Sequence, residues 1–366
     1  MFRMNSESLG SHPFSTGKSL LPQEGHEMPG DTPLSMSTVL ASFQDLFSRH
    51  LEQALTTLTE QHVLQCLPQL HTSVSPLMAR YHDVLRYTLL SPGKRFRPFL
   101  AYSVAQALRA SQEGLEYALH FGIALESVHA FSLAHDDLPC MDNDDLRRGL
   151  PTVHKQFSDW EALLAGDTLQ TFALHHILHQ ESMPIGLRLW GGQTLTTAMI
   201  GPGLIEGQYF DMSLGKVPSS TELLSSEALY GVQTLEWIHR MKTGALIEAS
   251  VMLGVASGLW PKEAETHPVA KLFHQWGRCL GLLFQLSDDI LDCTQSTASL
   301  GKTAGKDEAQ NKWTYVKVLG LEQAKAYQET LLEEAQACLN TLQHQYALDT
   351  LELLYQLTTF VARRTQ

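Results

Sequence analysis

Two groups of carboxylates are the parts of this sequence best equipped for chemistry. The segment HDDLPCMDNDDLRRG (135–149) supplies Asp136, Asp137 and Asp142, followed at once by Arg147 and Arg148. The segment FQLSDDILD (284–292) supplies Asp288, Asp289 and Asp292. Like charges this close repel, and withdrawing them from water is costly unless a cation sits among them. Carboxylates without neighbouring His or Cys ligands suit a hard cation. Mg²⁺ is the best match, because it keeps water and borrows its remaining oxygens from phosphate groups. The pattern therefore points to Mg²⁺ handled together with a polyphosphate. A single Asp-Asp pair would read more simply as a helix cap or a solvated face. Two groups, each at the end of an apolar stretch, weigh against that.

The cations support a phosphate partner. Lys94, Arg95 and Arg97 fall in SPGKRFRP, Lys242 in HRMKTGAL, and Lys302, Lys306 and Lys312 in GKTAGKDEAQNKW. Arg offers a bidentate grip and Lys a point charge. The GKTAGKD segment lacks the G-x-x-x-x-G-K-[ST] spacing and a preceding strand, which excludes a nucleoside-triphosphate loop. His129 lies seven residues before Asp136, about two helical turns away on nearly the same face, so it is either a core histidine or part of the same cavity.

The elements that must hold these groups read as helices. Leu125, Val128, Phe131 and Leu133 lead into the first acidic group, and Leu280, Leu283 and Leu286 into the second. On a helix Asp288, Asp289 and Asp292 share a face. Asp136, Asp137 and Asp142 could not, with Pro139 between them, so the proline is expected to loosen the helix end and let Asp142 swing back. Helical periodicity runs from about residue 38, with clear stretches at 77–90, 97–109, 115–135, 160–180, 224–258, 268–292 and 321–340. Pro and Gly fall between them, and no run alternates with period two. The expected fold is an all-α, single-domain bundle over 38–366, preceded by a flexible extension over 1–37 that is rich in Ser, Gly and Pro.

Composition narrows the function classes. With 26 Lys and Arg against 39 Asp and Glu, the net charge of −13 argues against nucleic-acid binding. Five scattered Cys, never spaced as C-x-x-C, read as reduced thiols and point to the cytoplasm. The most apolar stretch, 244–260, carries Glu248 and several Gly, so it reads as a buried helix and no membrane insertion is expected.

The segments GKRFRP, HAFSLAHDDLPCMDNDDLRRGLPT, LAGDTLQT, GLIEGQYFD, HRMKTGALI, LFQLSDDILD and LGKTAGKDEAQNKWTY occur in this order. Together they resemble the trans-polyprenyl diphosphate synthases, most closely the bacterial type of farnesyl diphosphate synthase. The resemblance implies an isoprenoid-synthase helical bundle around a deep central cavity, a homodimer, and Mg²⁺ held by Asp136, Asp137, Asp142, Asp288, Asp289 and Asp292. It implies that Arg147, Lys242, Thr243, Gln285, Lys302 and Lys312 bind the diphosphate of the allylic substrate, with Gln208 and Asp211 near them. Lys94, Arg97, His129 and Arg148 would bind isopentenyl diphosphate. Asp136, Asp137, Lys242, Asp288 and Lys302 would carry the chemistry, and Phe131 with Ser132 would set chain length. An aromatic at Phe131 implies additions to dimethylallyl and geranyl diphosphate that stop at farnesyl diphosphate. A geranylgeranyl or geranyl diphosphate synthase is the alternative. Readings of another class are a class I terpene cyclase or a non-catalytic synthase subunit, against which the intact DDILD and GKRFRP segments stand. Trp313 and Tyr209-Phe210 are bulkier than the resemblance leads one to expect.

Overall fold

The computed structural model describes residues 35–66, 71–214, 231–260, 267–294 and 313–364. Among the described residues fourteen α-helices, in chain order, are α1 (Met36–Cys66), α2 (His71–Leu90), α3 (Phe96–Ala107), α4 (Gln112–Asp136), α5 (Val153–Gln156), α6 (Asp159–Leu178), α7 (Ile185–Ile200), α8 (Leu204–Leu214), α9 (Val232–His239), α10 (Ala245–Leu259), α11 (Pro268–Thr294), α12 (Tyr315–Leu319), α13 (Leu321–Tyr346) and α14 (Glu352–Arg363). The all-α bundle expected from the sequence is what the chain forms. Among the described residues no helix is long and apolar enough to cross a membrane.

The first helix begins two residues inside the expected extension. Ser35 caps it: its Oγ accepts from Thr38 N at 3.3 Å, satisfying a backbone N–H that the first turn leaves without a helical partner. Residues 1–34 lie outside the described residues.

The architecture centres on α4. Its Leu125, Val128, Ala124 and Phe121 are fully buried and α3, α6 and α10 pack around it, so it is apolar on nearly every face rather than along one stripe. Ser111 starts it, accepting from Gly114 N at 3.2 Å. The amphipathic α11 lies between α10 and α13, burying Phe273, Trp276, Leu280 and Leu283. The indole N–H of Trp276 donates to Thr358 Oγ1 of α14 at 3.1 Å, so the last helix is tied into this layer.

Three local departures from the sequence expectation shape the site. The helix expected over 224–258 is broken by a five-residue π-turn, Arg240–Gly244, between α9 and α10. Helices α7 and α8 went unread because glycines interrupt their pattern, yet Gly191 is needed there. A Cβ at that position would lie 2.3 Å from Phe121 Cε1 of α4. The third departure is a minimal antiparallel hairpin, β1 (Leu146–Arg147) and β2 (Leu150–Pro151), whose strands are too short to show alternation. Its two linking residues, Arg148 and Gly149, have φ of 55° and 78°, the pair of left-handed conformations that matches strand twist in a two-residue turn.

Candidate active site

The first acidic group is built by the way α4 ends. Beyond Asp136 the chain curls back: Met141 N and Asn143 N donate to Leu138 O at 2.9 and 3.1 Å, and Asp142 N donates to Asp136 O at 2.8 Å. Asp142 is thereby returned to Asp136, as Pro139 led one to expect. Burial pushes the Asp136 carboxyl up to about 6; Lys242 pulls it down, and Asp142 pushes it up again. A divalent cation between these two carboxylates would remove the repulsion and the desolvation penalty together, so the donor set fits Mg²⁺.

Asp137 serves a different face. Successive residues on a helix point about 100° apart, and Asp137 turns away from its neighbour into a pocket lined by His129, Leu133, Arg147 and Arg148. It is only 3% exposed. Arg147 Nε donates to its Oδ1 and Oδ2 at 2.9 and 3.1 Å. The hairpin aims Arg147 at this carboxylate and sends Arg148 to the carbonyl of Pro92, where Nη1 donates at 2.7 Å. A left-handed conformation at a non-glycine residue costs on the order of 1 kcal/mol, which the surrounding contacts of Arg148 must offset.

The second acidic group divides in the same manner. Asp289 is buried and its oxygens are committed, Oδ1 to Gln285 Nε2 at 3.0 Å and Oδ2 to Tyr315 N at 2.8 Å. Gln285 in turn accepts from Thr243 Oγ1 at 2.9 Å, so one chain of bonds links the π-turn, α11 and α12. Asp288 and Asp292 are the less buried members, one helical turn apart. Thus two of the six carboxylates grouped in the sequence, Asp137 and Asp289, hold the scaffold in this structure. Among the described residues no three His, Cys, Asp or Glu side chains are already gathered around one metal-sized point. The partly exposed pairs leave most positions around a cation to water and phosphate, which suits Mg²⁺.

Lys242 sits on the π-turn and reaches Asp211 Oδ2 of α8 at 2.5 Å. Burial lowers its pKa, but Asp211 and Asp136 together outweigh that and leave it above the ordinary lysine value, hence charged. The approach of α8 depends on Gly207, since a Cβ there would lie 2.3 Å from Lys242 N.

A cavity of about 340 Å³ opens between α4 and α8. Phe131, Ser132, His135 and Asp136 form one wall, Leu204, Ile205, Gln208, Tyr209 and Met212 the other. Five residues turn a helix by about 140°, so periodicity left open whether Phe131 reached the side of Asp136; both line this cavity. The polar end is acidic and the walls are largely apolar.

On the opposite flank the cations collect. Burial lowers Arg97 to about 10, with Glu126 opposing and Arg148 adding to the shift, and its Nε is buried without a partner. Burial and then Arg97, Arg148, Arg147 and Arg95 hold His129 well below the ordinary histidine value, so it is neutral. Lys94 is lowered by burial and by Arg364 and Arg148. Cations that depress one another, with an unpartnered guanidinium N–H among them, make a receptor for a multiply charged anion. Arg95 is the exception: it pairs with buried Glu126 at 2.5 Å and donates to the carbonyls of Leu89 and Ser91. Lys302 and Lys312 lie outside the described residues.

An acidic apolar cavity set against a basic pocket frames the comparison with known proteins. The family model for polyprenyl synthetases matches residues 78–349. The chain belongs to the polyprenyl synthetase family. It is 43% identical over 255 residues to a chloroplastic geranylgeranyl pyrophosphate synthase of Capsicum annuum, covering 69% of this chain and 64% of that one. It therefore spans just under two thirds of that relative. Geranylgeranyl pyrophosphate synthase 7 of Arabidopsis thaliana is 39% identical over 285 residues, 78% of this chain and 76% of its own. Among solved structures, a geranyltransferase of Helicobacter pylori complexed with magnesium and isoprenyl diphosphate superposes with a TM-score of 0.70 at 29% identity, covering 90% of this chain and 99% of that one. An FPP/GFPP synthase of Zymomonas mobilis superposes with a TM-score of 0.69 at 26% identity, covering 89% and 100%.

Within this polyprenyl synthetase, sequence reasoning missed two charged residues that the fold brings to the site. Glu126 is one, and a charge inside the apolar run of α4 was the available signal, since such a residue is rarely buried alone. Arg364 is the other; two arginines at the end of a helical stretch carried no signal of where the chain would take them.

Proposed function

We propose that this polyprenyl synthetase joins isopentenyl diphosphate head-to-tail to allylic diphosphates, beginning with dimethylallyl diphosphate. The observation that carries this reading is the pair of sites flanking the end of α4, an apolar cavity with acids at its rim and a basic pocket beside it. Asp136 with Asp142, and Asp288 with Asp292, would hold Mg²⁺, which supplies positive charge against the diphosphate that leaves the allylic carbon. Lys242 adds to that charge from the π-turn, and Arg147 holds Asp137 in the neighbouring basic pocket. Such preorganised charge is the largest contribution expected in a reaction of this kind. The walls of Phe131, Leu204, Ile205 and Met212 exclude water, which would otherwise capture the allylic cation as an alcohol. Arg97, Arg148, Lys94 and neutral His129 would orient isopentenyl diphosphate so that its double bond faces that carbon. No side chain stands out as base for the final proton, and the departed diphosphate is suited to take it.

Geranylgeranyl diphosphate is the product this reading favours, in place of the farnesyl diphosphate expected from the sequence. Its support is the similarity to geranylgeranyl pyrophosphate synthases at 43% and 39% identity. Farnesyl diphosphate remains a second reading, because Phe131, 5% exposed, is the residue of the α4 wall furthest from Asp136 and could act as a floor. Chromatography of dephosphorylated products, after incubation with Mg²⁺, isopentenyl diphosphate and dimethylallyl diphosphate, decides between them. A main geranylgeraniol peak is expected; a main farnesol peak supports the second reading, and no prenyl alcohol at all removes the synthase assignment. Phe131→Leu is expected to shift the product distribution towards longer chains at a smaller cost in stability than the roughly 3–5 kcal/mol typical of Phe→Ala.

We also propose a homodimer. Trp160 and Leu164 on α6 and Ile185 and Leu189 on α7 are exposed apolar side chains on neighbouring helices. Light scattering should return twice the 40.8 kDa chain mass, and a monomer at micromolar concentration would refute this.

A further inference from the structure

The chain sends a cation from its far end into the second acidic group. Helix α14 stops at Arg363, and Arg364 leaves it in an extended conformation with φ −59° and ψ 144°. Its side chain does not run into solvent, as that of an arginine near a chain end ordinarily would; it is 7% exposed. The guanidinium Nη2 lies 2.8 Å from Asp288 Oδ1 and also donates to the carbonyl of Phe284 at 2.5 Å. The guanidinium carbon sits 3.9 Å from the centre of the Phe284 ring, on its face. Fixing an arginine side chain costs rotamer entropy. This placement is therefore held by three separate interactions, an ion pair, a charge-assisted hydrogen bond and a cation–π contact. They converge on the helical turn that carries Asp288.

We propose that Arg364 is the resident counter-ion of Asp288 and competes with the divalent cation for it. In the substrate-free protein the guanidinium neutralises the carboxylate, and a metal ion gains Asp288 only as Arg364 gives it up. The second acidic group is thereby kept from binding free cation tightly until substrate phosphates add their oxygens. In the first group Arg147 Nε donates to Asp137.

This inference rests on the reading of Asp288 as a cation ligand, and the experiment separates the two. Mn²⁺ is titrated, without substrate, into the wild type, Arg364→Gln, Asp288→Asn and a chain ended at Arg363, with free Mn²⁺ followed by electron paramagnetic resonance. Circular dichroism checks the fold of each. The expected result is a site lost in Asp288→Asn and tightened about tenfold in both Arg364→Gln and the shortened chain, the scale of one charge-assisted hydrogen bond. The shortened chain keeps the test open if Arg364→Gln does not fold. A site that needs Asp288 but binds Mn²⁺ equally in the wild type and both Arg364 variants overturns the competition and leaves the ligand assignment standing. Absence of any Asp288-dependent site in all the folded proteins overturns both.

Discussion

Asp136→Asn lowers kcat/KM for condensation by about a thousandfold or more and, in chelator at pH 7, raises the melting temperature. The two effects have one cause. Burial lifts the Asp136 carboxyl to about 6 against an ordinary value of 3.8, so its ionised form is a strained guest in the free protein. A carboxyl raised by folding subtracts from stability above its folded pKa, and that stability returns as the pH falls through about 6 towards 4. At pH 7 the subtraction is on the order of 2–3 kcal/mol, and an amide removes it. The same charge would help hold the cation, whose positive charge would offset the negative charge developing on the leaving diphosphate, where single groups are commonly worth about a hundredfold to a thousandfold. Steady-state kinetics with Mg²⁺ and thermal melts in chelator, on the same preparation, test both halves. Undiminished turnover would falsify the assignment of the site, and a lowered melting temperature would show that the charge is compensated in the folded state.

The second large effect concerns stability. Glu126→Ala costs about 3–5 kcal/mol, because it leaves Arg95 charged and without its ion-pair partner where both side chains are almost fully withdrawn from solvent. Arg95 also holds the chain between α2 and α3 through the carbonyls of Leu89 and Ser91, with its own backbone left-handed at φ 49°. Freed of Glu126, this junction would loosen, and Lys94 and Arg97 on either side of it would lose their common orientation. Replacing both partners, Arg95→Met with Glu126→Leu, should recover much of the loss, since an apolar pair of similar volume carries no desolvation penalty. Urea unfolding of the two single variants and the double variant measures this. A loss below 1 kcal/mol for Glu126→Ala would mean that the junction is fixed by its backbone contacts alone.

What the sequence made legible was chemistry that is local in the chain. Acids at three- and four-residue steps, a proline inside one group, and cations beside glycines were enough to find both acidic groups and the basic segments around them. The return of Asp142 to Asp136 could be anticipated because one proline forces it. The division of labour within each Asp-Asp pair could not. Asp136 and Asp137 differ only in which way a helix turn points them, and that is decided by what α8 and the hairpin bring up to α4. Arg95 and Arg97 looked equivalent in GKRFRP; a glutamate 31 residues away separates them. Glycines in α7 and α8 read as breaks because the aromatic ring and the backbone that require them lie on other elements. Each miss has the same origin, a partner distant in the chain.

The π-turn has a consequence of phase. Five residues from Arg240 to Gly244 make one turn where an α-helix would spend fewer, so the stretch behaves as an insertion frozen between α9 and α10. Removing one residue from it would yield a continuous and intrinsically more favourable α-helix and would leave α9 and α10 in nearly their present phase, because four α-helical residues turn the chain through about the same angle as the five of the π-turn. The buried sides of α9, with Leu235 and Ile238, and of α10, with Leu246 and Ile247, would then still face the core. Such a deletion is expected to spare the packing of both helices and to act on the turn itself, because only the direction in which Lys242 and Thr243 leave the axis depends on the extra residue.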